Sequence, residues 1–198
     1  KLLTLGIHIR PNTTIGGAIS VDDLFRDGYE AIFMGTGAWR AKSLGIHGET
    51  LGNCHFAVNY LQNPDVYHLG DRVAVIGSGN SAMDVARTAI RKGSRYVTIY
   101  ARRNGISASE RELEYALMDG CEIQYAKGIH SVTPEGPMMY DRVFDENQKL
   151  ISEGEPYLIP ADSTVIAASQ AAKDKIVRTT TGIHLNEKGL VKVDENGM

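Results

Sequence analysis

The stretch Gly77-Ser78-Gly79-Asn80-Ser81-Ala82 combines residue types and spacing that suit one chemical task. It reads G-x-G-x-x-A. Before it stands Arg72-Val73-Ala74-Val75-Ile76, a short apolar run rich in β-branched residues, as expected for a strand buried on both faces of a parallel sheet. After it, Asn80 to Lys92 places Ala82, Ala86, Ala89 and Ile90 at helical spacing, with Gly93 as the stop. Strand, glycine turn and helix in this order form the dinucleotide fingerprint. Gly77 permits the tight turn out of the strand. Gly79 lets a pyrophosphate approach the backbone. Ala82 is small enough for helix to pack on strand. Free N–H groups around Asn80 and Ser81, at the positive helix end, would meet the phosphates.

A second strand is predicted at Tyr96–Tyr100, followed by Ala101-Arg102-Arg103-Asn104. An NAD binder carries Asp or Glu near this point, bonded to the ribose 2′-hydroxyl. No acid is present, and guanidinium forks suit a phosphate, so Arg102 and Arg103 favour the 2′-phosphate of NADPH. The competing account is that both are solvated surface charge. Asp84 reads as an acid in the first turn of the helix, stabilised by its dipole. Gly79-Asn80-Ser81-Ala82-Met83 fails as a nucleophile elbow because Met83 stands at its last position. Glu110–Glu114 reads as the wet face of a helix. Trp39 could stack on a ring or serve a core or hinge role.

These residues sit in a chain of 198 residues that is 42% hydrophobic and 23% charged, with net charge −3. That composition excludes disorder and gives no basic excess for nucleic acid. Twenty-one glycines point to tight turns or close backbone approach. Only Cys54 and Cys121 occur, without a CxxC, so neither a redox dithiol nor a four-cysteine metal site can be built. The six histidines show no HxH or HExxH, and no metal is expected. No apolar run reaches membrane-span length. The chain opens KLLTLGIHIRPN without a signal-peptide pattern, and it is read as a piece of a longer, cytoplasmic protein with reduced cysteines.

The remaining elements follow from patterning. Leu5–Arg10 and Tyr29–Gly35 read as short strands, and Ser20 caps a short helix. A helix is expected near His55–Leu61, another over about Ser109–Asp119, and a strand at Cys121–Tyr125. Residues 128–160 hold short polar strands broken by turns, a β-meander. Asp162–Ala168 returns to a buried parallel strand, and Gly189–Val193 reads as an edge strand. The fold class is α/β: a Rossmann-like parallel sheet with helices on one side and an antiparallel β-meander as third layer.

VAVIGSGNSAMDVARTAIRKGSRYVTIYARR resembles the NADPH-binding segment of the glutamate synthase small (beta) subunit family. That family also covers related flavin-linked subunits and part of dihydropyrimidine dehydrogenase. YEAIFMGTGAWRAKSLGIHGE resembles the stretch where the family's FAD domain hands over to its NADPH domain. ADSTVIAASQ resembles the strand that closes the NADPH domain. The resemblance implies residues 1–53 as the end of an FAD-binding domain, 54–170 as the NADPH-binding domain, and 171–198 as a segment leading back to the FAD domain. It implies hydride passing from NADPH to FAD, then electrons passing to an iron–sulfur protein or large subunit. No side chain acts as acid or base in that scheme. The family's N-terminal flavin fingerprint and C-terminal flavin segment are missing, so this chain alone is not expected to hold FAD. His47 stands where the family has proline, and Ser169 where it has glycine. A dinucleotide-sensing module without redox turnover is the competing reading.

Overall fold

The computed structural model describes residues 3–172, 175–187, 189–195 and 197. The chain forms two compact units, residues 41–170 and residues 1–40 together with 171–198.

The larger unit is built on a five-stranded parallel sheet. Its strands are β2 (Cys54–Phe56), β3 (Arg72–Ile76), β4 (Tyr96–Tyr100), β5 (Glu122–Gln124) and β10 (Ser163–Ile166), in the order β2-β10-β3-β4-β5. β3 explains why the sheet has two covered faces. Val73 and Val75 point to one side with Val97, Ile99 and Val165, under helices α2 (Ala57–Gln62), α3 (Asn80–Arg91) and α4 (Glu110–Met118). Ala74 and Ile76 point to the other, against Tyr100, Met139 and Ala161. A strand with both neighbouring positions buried has no room for alternation of polar residues, which is the unbroken apolar run of the sequence.

The second face is covered by an antiparallel meander: β6 (Lys127–Thr133), β7 (Gly136–Phe144), β8 (Leu150–Glu153) and β9 (Tyr157–Leu158). β7 pairs with β6, β8 and β9, and the β6–β7 register shifts between Ile129 and Ser131. Helices on one side and a meander on the other give the expected three layers.

Local signals set the helix ends. Ser20 and Asp23 close a capping box on α1 (Val21–Arg26). The Ser109 hydroxyl accepts the Glu112 N–H at the start of α4. Gly93 follows the C-cap of α3 at φ +105°, a left-handed conformation that glycine takes without a Cβ penalty.

Four expectations need correction. Leu5–Arg10 and Tyr29–Gly35 form no strand; Leu3–Leu5 is a 3-10 turn and Phe33 is 96% exposed. Alternating apolar residues make a strand only where a ladder partner exists, and among the described residues none pairs with them. Residues 189–193 form an isolated bridge, Leu185 to Val191, around a turn at Gly189 with φ +74°; Lys188 lies outside the described residues. His55 and Phe56, expected in a helix, belong to β2, because Cys54–Phe56 pair in register with Thr164–Ile166. The larger unit includes residues 41–53. Ile46 and Leu51 pack on a cluster of Cys54, Val132 and Ile166, and Val132 N–H donates to the His47 carbonyl at 2.9 Å. That bond uses a group that proline would also offer.

Trp39 is 56% exposed and so is not core. Among the described residues no helix is long and apolar enough to cross a membrane, and no group of three or more His, Cys, Asp or Glu is placed to hold a metal ion.

Candidate dinucleotide site

The turn between β3 and α3 contains two glycines with different reasons for being glycine. Gly77 leaves the strand at φ +152°, and a Cβ on it would lie 2.6 Å from the Ala167 carbonyl oxygen. Its N–H donates to the Tyr100 carbonyl at 3.1 Å, while Ala167 N–H donates to Ile76 at 2.8 Å. The turn is therefore clamped between the ends of β4 and β10. Gly79 caps α3 at φ −92°, a backbone any residue adopts. A Cβ there would meet only the Ser107 Oγ, at 3.7 Å. Neither conformation nor packing requires glycine at this position. The space above it is open.

α3 starts without a side-chain cap and without an acid in its first turn. Its leading N–H groups are left for an outside acceptor, at the positive end of the helix dipole. Asp84 lies beyond the first turn, so the expectation that the dipole stabilises it is corrected. Its carboxyl is pushed up, first by burial and then by Glu112, against the pull of Arg87.

The open space is a cleft of about 590 Å³. Gly77 to Ser81 form its floor, and Arg102 and Ser107 one wall. Lys127, Gly128, Ile129 and Tyr140 from the meander form another wall, with Ala167 to Gln170 at the end of β10 and Leu44 and Ile46 completing the rim. Ala82 does not line the cleft. It is fully buried on the inner face of α3, in the cluster that holds Val73 and Val75.

Arg102 and Lys127 are the charged residues on the cleft among the described ones. Lys127 is already committed: its ammonium pairs with Asp141 and donates to the Tyr157 hydroxyl at 2.7 Å. Its pKa is raised by those two bonds, the Asp141 bond first, and Asp141 is correspondingly lowered. The Arg102 guanidinium is exposed and has no protein partner among the described residues. Its carbonyl accepts Nη1–H of Arg142 at 3.1 Å; Arg142 is buried, pairs with Glu153 at 2.9 Å and lies over the Phe144 ring. Arg103 is not brought to the cleft. Its carbonyl accepts the Ala126 N–H, which ties the end of β4 to the meander.

Sequence reasoning missed the far wall. Gly128 is buried beneath the Tyr140 ring, which a Cβ would strike at 2.3 Å. A glycine inside a strand pattern was the available signal. The thiols of Cys54 and Cys121 are free and buried, each pushed up to about 11, mainly by burial.

Sheet, glycine turn and acid-free cleft define a dinucleotide-binding fold of the Rossmann class. The chain belongs to the pyridine nucleotide-disulphide oxidoreductase family, whose pattern matches residues 5–198. It is 31% identical to the glutamate synthase [NADPH] small chain of Halomonas elongata, over 98% of this chain and 46% of that protein. It is 39% identical to the NADP(+)-dependent formate dehydrogenase subunit beta of Moorella thermoacetica, over 50% of this chain and 15% of that one. The chain thus spans less than half the length of these curated relatives. A solved 2-naphthoyl-CoA reductase shares the fold at TM-score 0.66 and 18% identity, over 90% of this chain and 25% of that one.

Proposed function

We propose that the unit of residues 41–170 binds NADPH over the Gly77–Ala82 turn, as the NADPH-binding part of a flavin-linked oxidoreductase. The observation that carries this reading is the unfilled space at Gly79, a cradle that a Cβ would enter and that the fold leaves free. The residues present fit a dinucleotide. Backbone N–H groups of Asn80 and Ser81 and the Ser78 hydroxyl face the pyrophosphate. Arg102, the cleft cation without a partner among the described residues, takes the 2′-phosphate. Arg103 stands one residue behind it and contributes long-range charge. Both relatives named above carry NADP in their names, which supports the same preference here.

When bound, the dinucleotide supplies a hydride; in the whole protein this reading assigns FAD as acceptor and an iron–sulfur subunit or large chain beyond it. This chain contributes binding and orientation, and its own two thiols lie outside the route. Buried, unpaired thiols fit a cytoplasmic setting.

The test is a calorimetric titration of the 198-residue chain with NADPH and with NADH. A charge-assisted bond to phosphate is worth about 1.5–3 kcal/mol, so wild type prefers NADPH by roughly tenfold to a hundredfold. Gly79→Val binds neither dinucleotide while its circular dichroism stays that of the wild type. Arg102→Ala brings the two affinities together. Unchanged binding by Gly79→Val would remove the reading.

A further inference from the structure

We propose that Ser107 is a further ligand of the dinucleotide, its hydroxyl donating to the diphosphate from the side of the cleft facing Gly79. The proposal rests on the dinucleotide reading of the same cleft. Ser107 is exposed, lines the cleft, and is the neighbour nearest to the space above Gly79. A diphosphate held by the start of α3 has to occupy that space.

The loop that carries Ser107 is held by hydrogen bonds within the protein. Ser107 N–H and Ala108 N–H both donate to the Ser78 carbonyl at 2.8 Å. Ser109 N–H donates to the Asn80 side-chain oxygen at 2.9 Å. Asn80, whose side chain the fingerprint leaves undefined, therefore pins the second loop to the first. These bonds use the backbone of Ser107 and leave its side chain with a single partner among the described residues, the Ser78 Oγ at 3.1 Å. A hydroxyl pair has two protons and needs only one for its mutual bond. The other proton is free to point into the cleft. An anion there accepts it, and the mutual bond strengthens it through polarisation. Because the loop is already fixed, little conformational entropy is lost on binding.

The same loop begins at Arg102. One loop thus supplies the 2′-phosphate arginine at one end and a diphosphate hydroxyl at the other, and the two predict different signatures. The diphosphate is common to NADH and NADPH, whereas the 2′-phosphate is not.

The experiment titrates Ser107→Ala, Arg102→Ala and wild-type chains with NADPH and NADH at one ionic strength. Ser107→Ala is expected to lose about tenfold for both dinucleotides, with their ratio unchanged, from the loss of one hydrogen bond to a charged group. Its melting temperature stays at the wild-type value because the backbone bonds remain. Affinity for both within twofold of wild type overturns the assignment. So does a loss confined to NADPH, which would place the hydroxyl at the 2′-phosphate. Wild-type chain that binds neither dinucleotide sinks the reading beneath it, an outcome distinct from failure at Ser107 alone.

Discussion

Ser169 holds φ +72° at the end of β10, on the rim of the cleft. A side chain in the left-handed region costs roughly 1–2 kcal/mol, which glycine avoids. The sequence resemblance places a glycine at this position, and the backbone shows why. Ser169→Gly is expected to stabilise the chain by about 1 kcal/mol, less the extra freedom that glycine gains when unfolded. The check is a urea midpoint that rises with an unchanged slope. A fall would mean that the Ser169 side chain has a use that its backbone conformation hides. The same contrast separates Gly77, which the fold needs, from Gly79, which it does not. Spacing alone identified both glycines and their order, since the motif is a local property. It could not separate Arg102 from Arg103, because which of two adjacent side chains meets a cleft depends on the meander docked beside them.

Helices α3 and α4 are locked together by charge on their outer side. Arg87 donates Nε–H to Asp119 at 2.9 Å and Nη1–H to Glu112 at 3.1 Å, and Arg91 adds a bond to Asp119 at 2.8 Å. The Asp119 carboxyl is held below its usual range, first by the Arg87 hydrogen bond. A carboxyl lowered in the folded state contributes stability that is complete above its unfolded value, about 3.9, and is lost as pH falls through the folded value. Asp119→Asn is therefore expected to be less stable than wild type at neutral pH, and the gap should close as the solution is acidified below about pH 4. Urea midpoints of both proteins at several pH values decide it; a gap constant across that range would show that Asp119 acts as a helix cap and not as an ion pair. Elements of this unit were legible because each combines a period with a stop: β3, α3, β4 and α4 carry both. The errors fell where tertiary pairing decides. Cys54–Phe56 became a strand because β10 offers it an edge, and Tyr29–Gly35 stayed irregular because no strand among the described residues pairs with it.

Across the larger unit, the two cysteines mark opposite edges of one sheet. Cys54 lies in β2, the first strand in spatial order, and Cys121 immediately precedes β5, the last. Both are buried, and each thiol is pushed up to about 11. Burial leads in both cases, helped by Glu49 at Cys54 and by Asp119 at Cys121. The thiolate is the reactive form, so near pH 8 each side chain holds on the order of a hundredfold less of it than an ordinary cysteine does. Steric closure adds to that protection. β3, β4, β5 and β10 place side chains in one apolar layer under α2, α3 and α4, while Cys54 of β2 packs in a second layer with Val132 and Ile166; β10 contributes Val165 to the first and Ile166 to the second, which couples the two. The native chain is therefore expected to resist a thiol reagent at pH 8, and in rising urea Cys54 and Cys121 should become reactive together. Mass spectrometry after timed alkylation reads each site separately. Equal labelling at every urea concentration means that the sheet unfolds as one unit. If Cys54 labels first, β2 detaches from β10 ahead of the rest, and the cleft rim formed by Leu44 and Ile46 loses its support before the glycine turn does.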